Sequence, residues 1–238
     1  MAGPWVSLFS GGKDSSWALH RALERDHPVE TLLTVHPPEG AFLFHVPATR
    51  LAGLAAESIG LPLREVESEV EVAAGADSAA QGDRELEPLE AELRRYREAE
   101  GALGGVIAGA VASEYQASRI GDMCDRLGCE LFAPLWGVDP LSAGREMVDA
   151  GFEIHVIQVA ADGLDGSWLG RQLDHGALDE LATLNDDRGV HVLGEGGEYE
   201  TLVVDGPHMA RRLEYDATPQ WDGIRGELRF EDAWLAPD

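Results

Sequence analysis

Two stretches of this chain set reactive side chains among glycines. The first is Ser10-Gly11-Gly12-Lys13-Asp14-Ser15-Ser16, between the apolar run Trp5 to Phe9 and a segment with apolar residues at helical spacing. Gly11 and Gly12 lack a Cβ, so a strand turning sharply there can aim successive N–H groups at an anion, and the following helix adds the positive end of its dipole. Lys13, Ser10, Ser15 and Ser16 add side-chain donors. Phosphate is the natural ligand of such a loop, although the spacing is not the Walker pattern, which needs four residues between its first Gly and the Gly-Lys-Ser/Thr. Of the 18 basic residues only Lys13 is a lysine, a compact point charge that a planar guanidinium replaces poorly against phosphate oxygens. It is expected on an exposed loop.

The second stretch runs from His191 to Leu202. Gly194, Gly196 and Gly197 interleave with Glu195, Glu198 and Glu200, a mixture poor for strand and helix alike, so special backbone angles are expected. Glutamates so placed can hold a cation, an ammonium or a substrate amine, or act as a general base. Taken alone, the run also fits a solvated acidic hairpin.

The elements that must position these residues follow from periodicity. Strands are expected at Trp5 to Phe9, Val29 to His36, Leu61 to Val66, Gly105 to Val111 and Glu130 to Ala133. Helices are expected after Lys13, over about Pro47 to Ile59, through Leu86, Leu89, Leu93 and Tyr96 to a stop at Gly101, and from Ser113 through Leu127. A loop passes through Phe42 to His45, and residues 67–85, acidic and rich in Ala and Gly, read as a solvated excursion. Strands and helices alternating at this pace argue for an α/β fold with a doubly wound, mostly parallel sheet, whose ligands sit beyond the carboxyl ends of its strands. Pro134-Leu135-Trp136-Gly137 breaks the pattern. A smaller α+β region is expected after it, with helices at about Leu141 to Ala150 and Ala177 to Asp187 and a strand at Phe152 to Val159.

The formal net charge of −26 over 238 residues is spread along the whole chain. That balance suggests a cytoplasm of very high salt, where the Debye length falls to about 3 Å at 1 M and acidic surfaces cease to repel. It also argues against nucleic acid as a partner, since no basic stripe is present. No run approaches the length of a membrane span and no basic-then-apolar leader opens the chain, as expected of a cytoplasmic protein without a membrane partner. Cys124 and Cys129 have no second pair and read as structural thiols. The oligomeric state is open, a homo-oligomer included.

Ser10 to Ser15 resembles the Ser-Gly-Gly-x-Asp-Ser pyrophosphate loop of enzymes that split ATP into AMP and pyrophosphate. With it stand Gly109-Ala110-x-x-Ser113-x-Tyr115-Gln116-x-x-Arg119, Pro134-Leu135-Trp136, Gly163-Leu164-Asp165 with Leu169-Gly170-Arg171, and Gly194 to Leu202 leading to Asp205-Gly206-Pro207. This ordered set resembles the diphthine–ammonia ligase family. The resemblance implies an ATP-binding domain over residues 1–135 and a smaller substrate and ammonia domain over 136–238. It implies amidation of diphthine on translation elongation factor 2 with ammonium, through an acyl-adenylate, giving diphthamide, AMP and pyrophosphate. ATP would lie on Ser10, Gly11, Gly12, Lys13, Asp14, Ser15 and Ser16, with Mg2+ on Asp14. Lys13, Asp14, Glu198 and Glu200 become the catalytic candidates. Substrate candidates are Tyr115, Gln116, Arg119, Glu195, Gly196, Gly197, Glu198, Tyr199 and Glu200. Ala117 and Gly121 depart from the family, which usually has a basic and an acidic residue there. With no cysteine near the N-terminus and no glutaminase domain, free ammonium is the expected nitrogen source. The alternatives are another pyrophosphate-loop enzyme, of the tRNA thiolase or lysidine synthetase type, and a non-catalytic nucleotide-binding protein.

Overall fold

Side chains alternate along the first strand, β1 (Trp5–Leu8), and that alternation decides how its sheet is covered. Trp5 and Phe9 turn to one face, against Leu19 and Ala22 of α1 (Lys13–Leu23) and Ala52, Ala55 and Ala56 of α2 (Pro47–Ile59). Val6 turns to the other, against Leu89, Leu93 and Tyr96 of α3 (Ser78–Glu100) and Met123 and Leu127 of α4 (Glu114–Leu127). β2 (Val29–His36), β3 (Leu63–Glu67), β4 (Gly105–Ile107) and β5 (Glu130–Phe132) complete a five-stranded parallel sheet ordered β3-β2-β1-β4-β5. This is the doubly wound sheet expected, with helices on both faces. Strand order reverses between β1 and β4, so the crevice at their carboxyl ends is where such a sheet takes its ligands. The Gly11-Gly12 loop lies there.

The computed structural model describes residues 3–36, 47–67, 78–109 and 114–237, the side chains of 47–50, 78–85 and 114–117 excepted. The expected loop at Phe42 to His45, and residues 110–113 at the end of the strand expected over Gly105 to Val111 and the start of the helix expected from Ser113, lie outside these residues. The excursion expected over 67–85 is helical from Ser78 onward, and its 68–77 part lies outside the described residues. Residues 78–85 include good helix formers such as Ala79, Ala80, Gln81 and Glu85 but no apolar stripe, so periodicity begins to show only at Leu86.

After Gly137, which turns with φ 72°, a second layer begins with α5 (Pro140–Asp149). Its start is set by Asp139, whose carboxylate accepts the Ser142 N–H at 2.8 Å, with Pro140 at the first helical position. β6 (Glu153–Val159), β7 (Tyr199–Asp205), β8 (Leu213–Trp221) and β9 (Gly226–Leu235) form an antiparallel sheet ordered β7-β6-β9-β8, joined by α6 (His175–Arg188). β8 and β9 alternate apolar with polar residues, Leu213, Tyr215 and Ala217 in one and Leu228 and Phe230 in the other, and were not among the strands expected. Helices α1 and α2 serve both layers. Trp17 enters the second core edge-on to Phe152 at 5.5 Å, and Leu51 packs with Ile157, Leu202 and Leu213.

His208 sits in this junction, stacked on Phe152 at 5.1 Å and 6.1 Å from His20, with neither ring nitrogen hydrogen-bonded. Burial, with a smaller contribution from His20, pushes its pKa down from 6.5 to about 4. The neutral ring is the one that folds, so its contribution is fully present above pH 6.5 and is lost as pH falls towards 4. The loss amounts to about 3 kcal/mol. Chemical denaturation between pH 7 and 4 should show the wild type losing that increment relative to His208→Phe. Parallel curves would contradict the buried neutral ring.

Candidate active site at the junction of the two sheets

The loop after β1 takes its shape from its glycines and one serine. Gly11 adopts φ 82°, open to glycine at no steric cost, and Gly12 begins α1 in an extended conformation without a side-chain cap. The Ser15 hydroxyl accepts the Ser10 N–H at 3.2 Å and donates to the Gly12 carbonyl at 3.1 Å, so it stitches the loop shut. Ser16 is enclosed, its hydroxyl without a partner. The end of β4 presses on the first turn of α1. A Cβ at Gly109 would come within 2.6 Å of the Asp14 carbonyl carbon and 2.7 Å of the Ser15 nitrogen.

The missing cap is supplied from the other sheet. The Lys13 N–H donates to Thr201 Oγ1 at 3.1 Å, and the Val203 N–H of the same strand donates to the Gly11 carbonyl at 2.9 Å. Edge strand β7 thus closes its free side on the loop, and α1 gains an acceptor for one of the orphan donors of its first turn. Asp14 and Ser15 N–H groups share that turn and point with the helix dipole. Lys13 is not on an exposed loop, as the sequence suggested: it is 3 % exposed. Its ammonium donates to the Leu193 carbonyl at 2.5 Å and to Asp14 Oδ2 at 2.9 Å, and lies 5.2 Å from the centre of the Tyr199 ring.

The 191–199 segment holds that carbonyl in place. Gly194, Gly196 and Gly197 take φ of 68°, 78° and 79°, the special angles their composition called for, and a side chain at Gly194 would meet the Tyr199 ring at 2.8 Å. His191 Nδ1 accepts the N–H groups of Leu193 and Glu195 at 3.2 and 3.3 Å, which puts the ring proton on Nε2. The turn is closed by Glu198 Oε2, which accepts the His191 N–H at 2.6 Å, and by the Tyr199 hydroxyl, which donates to the Val192 carbonyl at 2.6 Å.

Carboxylates crowd the single lysine. Burial raises the Asp14 pKa above its ordinary value, against the opposing pull of Lys13, and Glu195 adds to the rise. Three-tenths of the Asp14 side chain is exposed, yet Oδ1 is enclosed with no partner. Glu200 is exposed at the rim of β7, but the surrounding protein still raises its pKa, with Lys13 opposing and Asp14 adding. Such an arrangement can bind an oxyanion at the helix start, hold a cation beside it, and accept a proton from a bound acid.

Ser10 to Ser16 and Glu195 to Glu200 therefore come together. Arg119 is half-buried on α4, and the side chains of Tyr115 and Gln116 lie outside the described residues. Sequence reasoning missed Thr201, the Leu193 carbonyl, His191 as a brace and Gly109 as a contact. Among the described residues no group of three or more His, Cys, Asp or Glu could hold a metal on its own, and no helix is long and apolar enough to cross a membrane.

Comparison with known proteins matches residues 4–131 to the diphthamide synthase N-terminal domain and residues 139–235 to the diphthamide synthase C-terminal domain. A diphthine–ammonia ligase of Danio rerio is 34 % identical over 223 residues, covering 90 % of this chain and 86 % of the relative. The human diphthine–ammonia ligase is 31 % identical over 224 residues, covering 90 % and 83 %. The Schizosaccharomyces pombe enzyme of that name is 35 % identical over 214 residues and much longer, since 87 % of this chain covers 35 % of it. The two domain matches run in order through both sheets and include the loop at the head of α1 and the glycine–glutamate turn before β7, and on that ground the chain belongs to the diphthamide synthase family.

Proposed function

We propose that the chain is a diphthine–ammonia ligase, converting the diphthine carboxylate of translation elongation factor 2 to an amide at the cost of ATP going to AMP and pyrophosphate. The observation that carries the reading is the direct bonding of the two glycine-rich stretches, Lys13 to Thr201 and Leu193 and Gly11 to Val203. An activated acyl group made at the loop would be met there by the residues suited to ammonium.

Amidation of a carboxylate needs activation. In the first half-reaction the diphthine carboxylate oxygen attacks the α-phosphorus of ATP, and pyrophosphate leaves with the electrons of the broken P–O bond. We assign Ser10, Gly11, Gly12, Lys13, Asp14 and the Ser15 and Ser16 backbone to the phosphates, where donors and the helix dipole stabilise the charge of the departing group. In the second half-reaction ammonium gives a proton to a carboxylate, ammonia attacks the acyl carbon of the adenylate, and the acyl C–O bond breaks with its electron pair leaving on AMP, while the extra proton on nitrogen passes to the departing AMP phosphate or to water. Glu200 is the candidate for that proton, Glu198 holds the turn, and Glu195 adds negative potential. Arg119, Tyr115 and Gln116 are assigned to substrate by family resemblance. In this proposal residues 1–135 carry ATP and 136–238 the acceptor and ammonia.

A magnesium ion fits the donor set. It prefers oxygen ligands, keeps several waters, and is typically held by one or two carboxylates together with substrate phosphates. The partnerless Asp14 Oδ1 supplies such an oxygen. When bound, the ion would offset phosphate charge.

Incubation with ATP, ammonium and diphthine-bearing elongation factor should shift the factor by the mass change of an acid becoming an amide, with AMP formed in step. AMP formed without amide, or neither product, would overturn the reading.

The net charge of −26 supports a setting of high salt. Self-repulsion of a chain so charged opposes its compact state when unscreened. The melting temperature should climb steeply from dilute buffer to molar potassium chloride, and a flat response would remove this part of the proposal.

A further inference from the structure

Lys13 carries its ammonium into a cage that it does not itself build. The Leu193 carbonyl at 2.5 Å and Asp14 Oδ2 at 2.9 Å accept from it, and the Tyr199 ring faces it at 5.2 Å. Two walls are fixed without the lysine. Tyr199 is anchored on Val192, and the turn presenting Leu193 is bound by His191 and Glu198. A carbonyl, a carboxylate and an aromatic face are the partners that a small cation with N–H donors binds best.

The same lysine stands at the head of α1 and has a second duty at the phosphates. It cannot meet both at once, and two cations at van der Waals separation in one cage repel strongly. We propose that the cage of Leu193 carbonyl, Asp14 carboxylate and Tyr199 ring is the binding site for the ammonium substrate, filled by the Lys13 side chain until nucleotide phosphate draws that side chain away. This rests on the reading of the chain as a ligase. Ammonium then binds only after nucleotide, so that ammonia is released next to the loop where the carboxylate is activated, and the bare protein keeps ammonium out.

The test reads binding and not turnover. Melting is followed at constant ionic strength as tetramethylammonium chloride, which has no N–H, is replaced by ammonium chloride. The wild type without nucleotide should show no difference. Lys13→Met, which vacates the cage, should gain about 3 °C at roughly ten times the dissociation constant, and the gain should saturate. In a second arm, which needs no variant to fold, the wild type with a non-hydrolysable ATP analogue and magnesium should acquire the same response. No ammonium response in either arm, or an equal response in the bare wild type, would overturn the cage. Amide formation is read separately, in the incubation with ATP, ammonium and diphthine-bearing elongation factor. A missing ammonium response beside normal amidation therefore condemns the cage alone, whereas a clear response without any amidation condemns the ligase reading.

Discussion

Lys13→Ala should abolish AMP formation, by about a thousandfold or more, in a chain that still folds. A preorganised charge on a leaving phosphate is worth about two to three powers of ten, and Lys13 is the only lysine in the sequence. The substitution also has a structural effect, because the side chain is buried and leaves the Leu193 carbonyl and Asp14 without their donor. Unmaking such bonds costs about 1–3 kcal/mol each, so melting should drop by several degrees without loss of the cooperative transition. Lys13→Arg should fail almost as badly. The space between Leu193, Asp14 and the Tyr199 ring admits an ammonium, and a planar fork can neither fit it nor put a point charge on phosphate. Turnover of the Arg variant near the wild-type rate would remove the assigned role.

Glu200→Gln should separate the two half-reactions. It keeps the shape and the hydrogen bonding of the side chain but removes a carboxylate whose raised pKa suits it to take a proton from ammonium. Amide formation should fall by roughly a hundredfold, the scale of a positioned general base, while ATP affinity is retained. Glu198→Gln should be much milder, because an amide oxygen still accepts the His191 N–H that Glu198 Oε2 accepts now. Measuring the amidation rate and the KM for ATP in both variants checks this. If Glu198→Gln is the worse of the two, proton transfer belongs to the carboxylate that closes the turn.

How far the molecule can be read from its residues depends on the range of the contacts involved. The first sheet was legible because its central strands β1 and β4 are buried on both faces and carry apolar runs, and because Gly11-Gly12 and Gly101 punctuate the chain beside them. The strained turn was legible for the same local reason, since Gly194, Gly196 and Gly197 require positive φ. β8 and β9 were not among the strands expected, although Leu213, Tyr215 and Ala217, and Leu228 and Phe230, alternate with polar residues as a half-buried hairpin does. The burial of Lys13 was not legible. A loop lysine between two glycines and an aspartate looks solvated until β7 folds over it, and nothing near Lys13 announces an acceptor 188 residues away. The roles of Thr201 and of the Leu193 carbonyl are of that kind: one is a cap supplied by another sheet, the other a backbone atom that any residue would carry.

The central claim is that the loop at the head of α1 activates the carboxylate while the turn and strand beside it serve the ammonia step. Isotope exchange tests it most directly. With diphthine-bearing elongation factor and ATP but no ammonium, labelled pyrophosphate should pass into ATP with the wild type and with Glu200→Gln at comparable rates, and not with Lys13→Ala. Loss of exchange in Glu200→Gln to the same degree as in Lys13→Ala would place both stretches in one step and contradict the division.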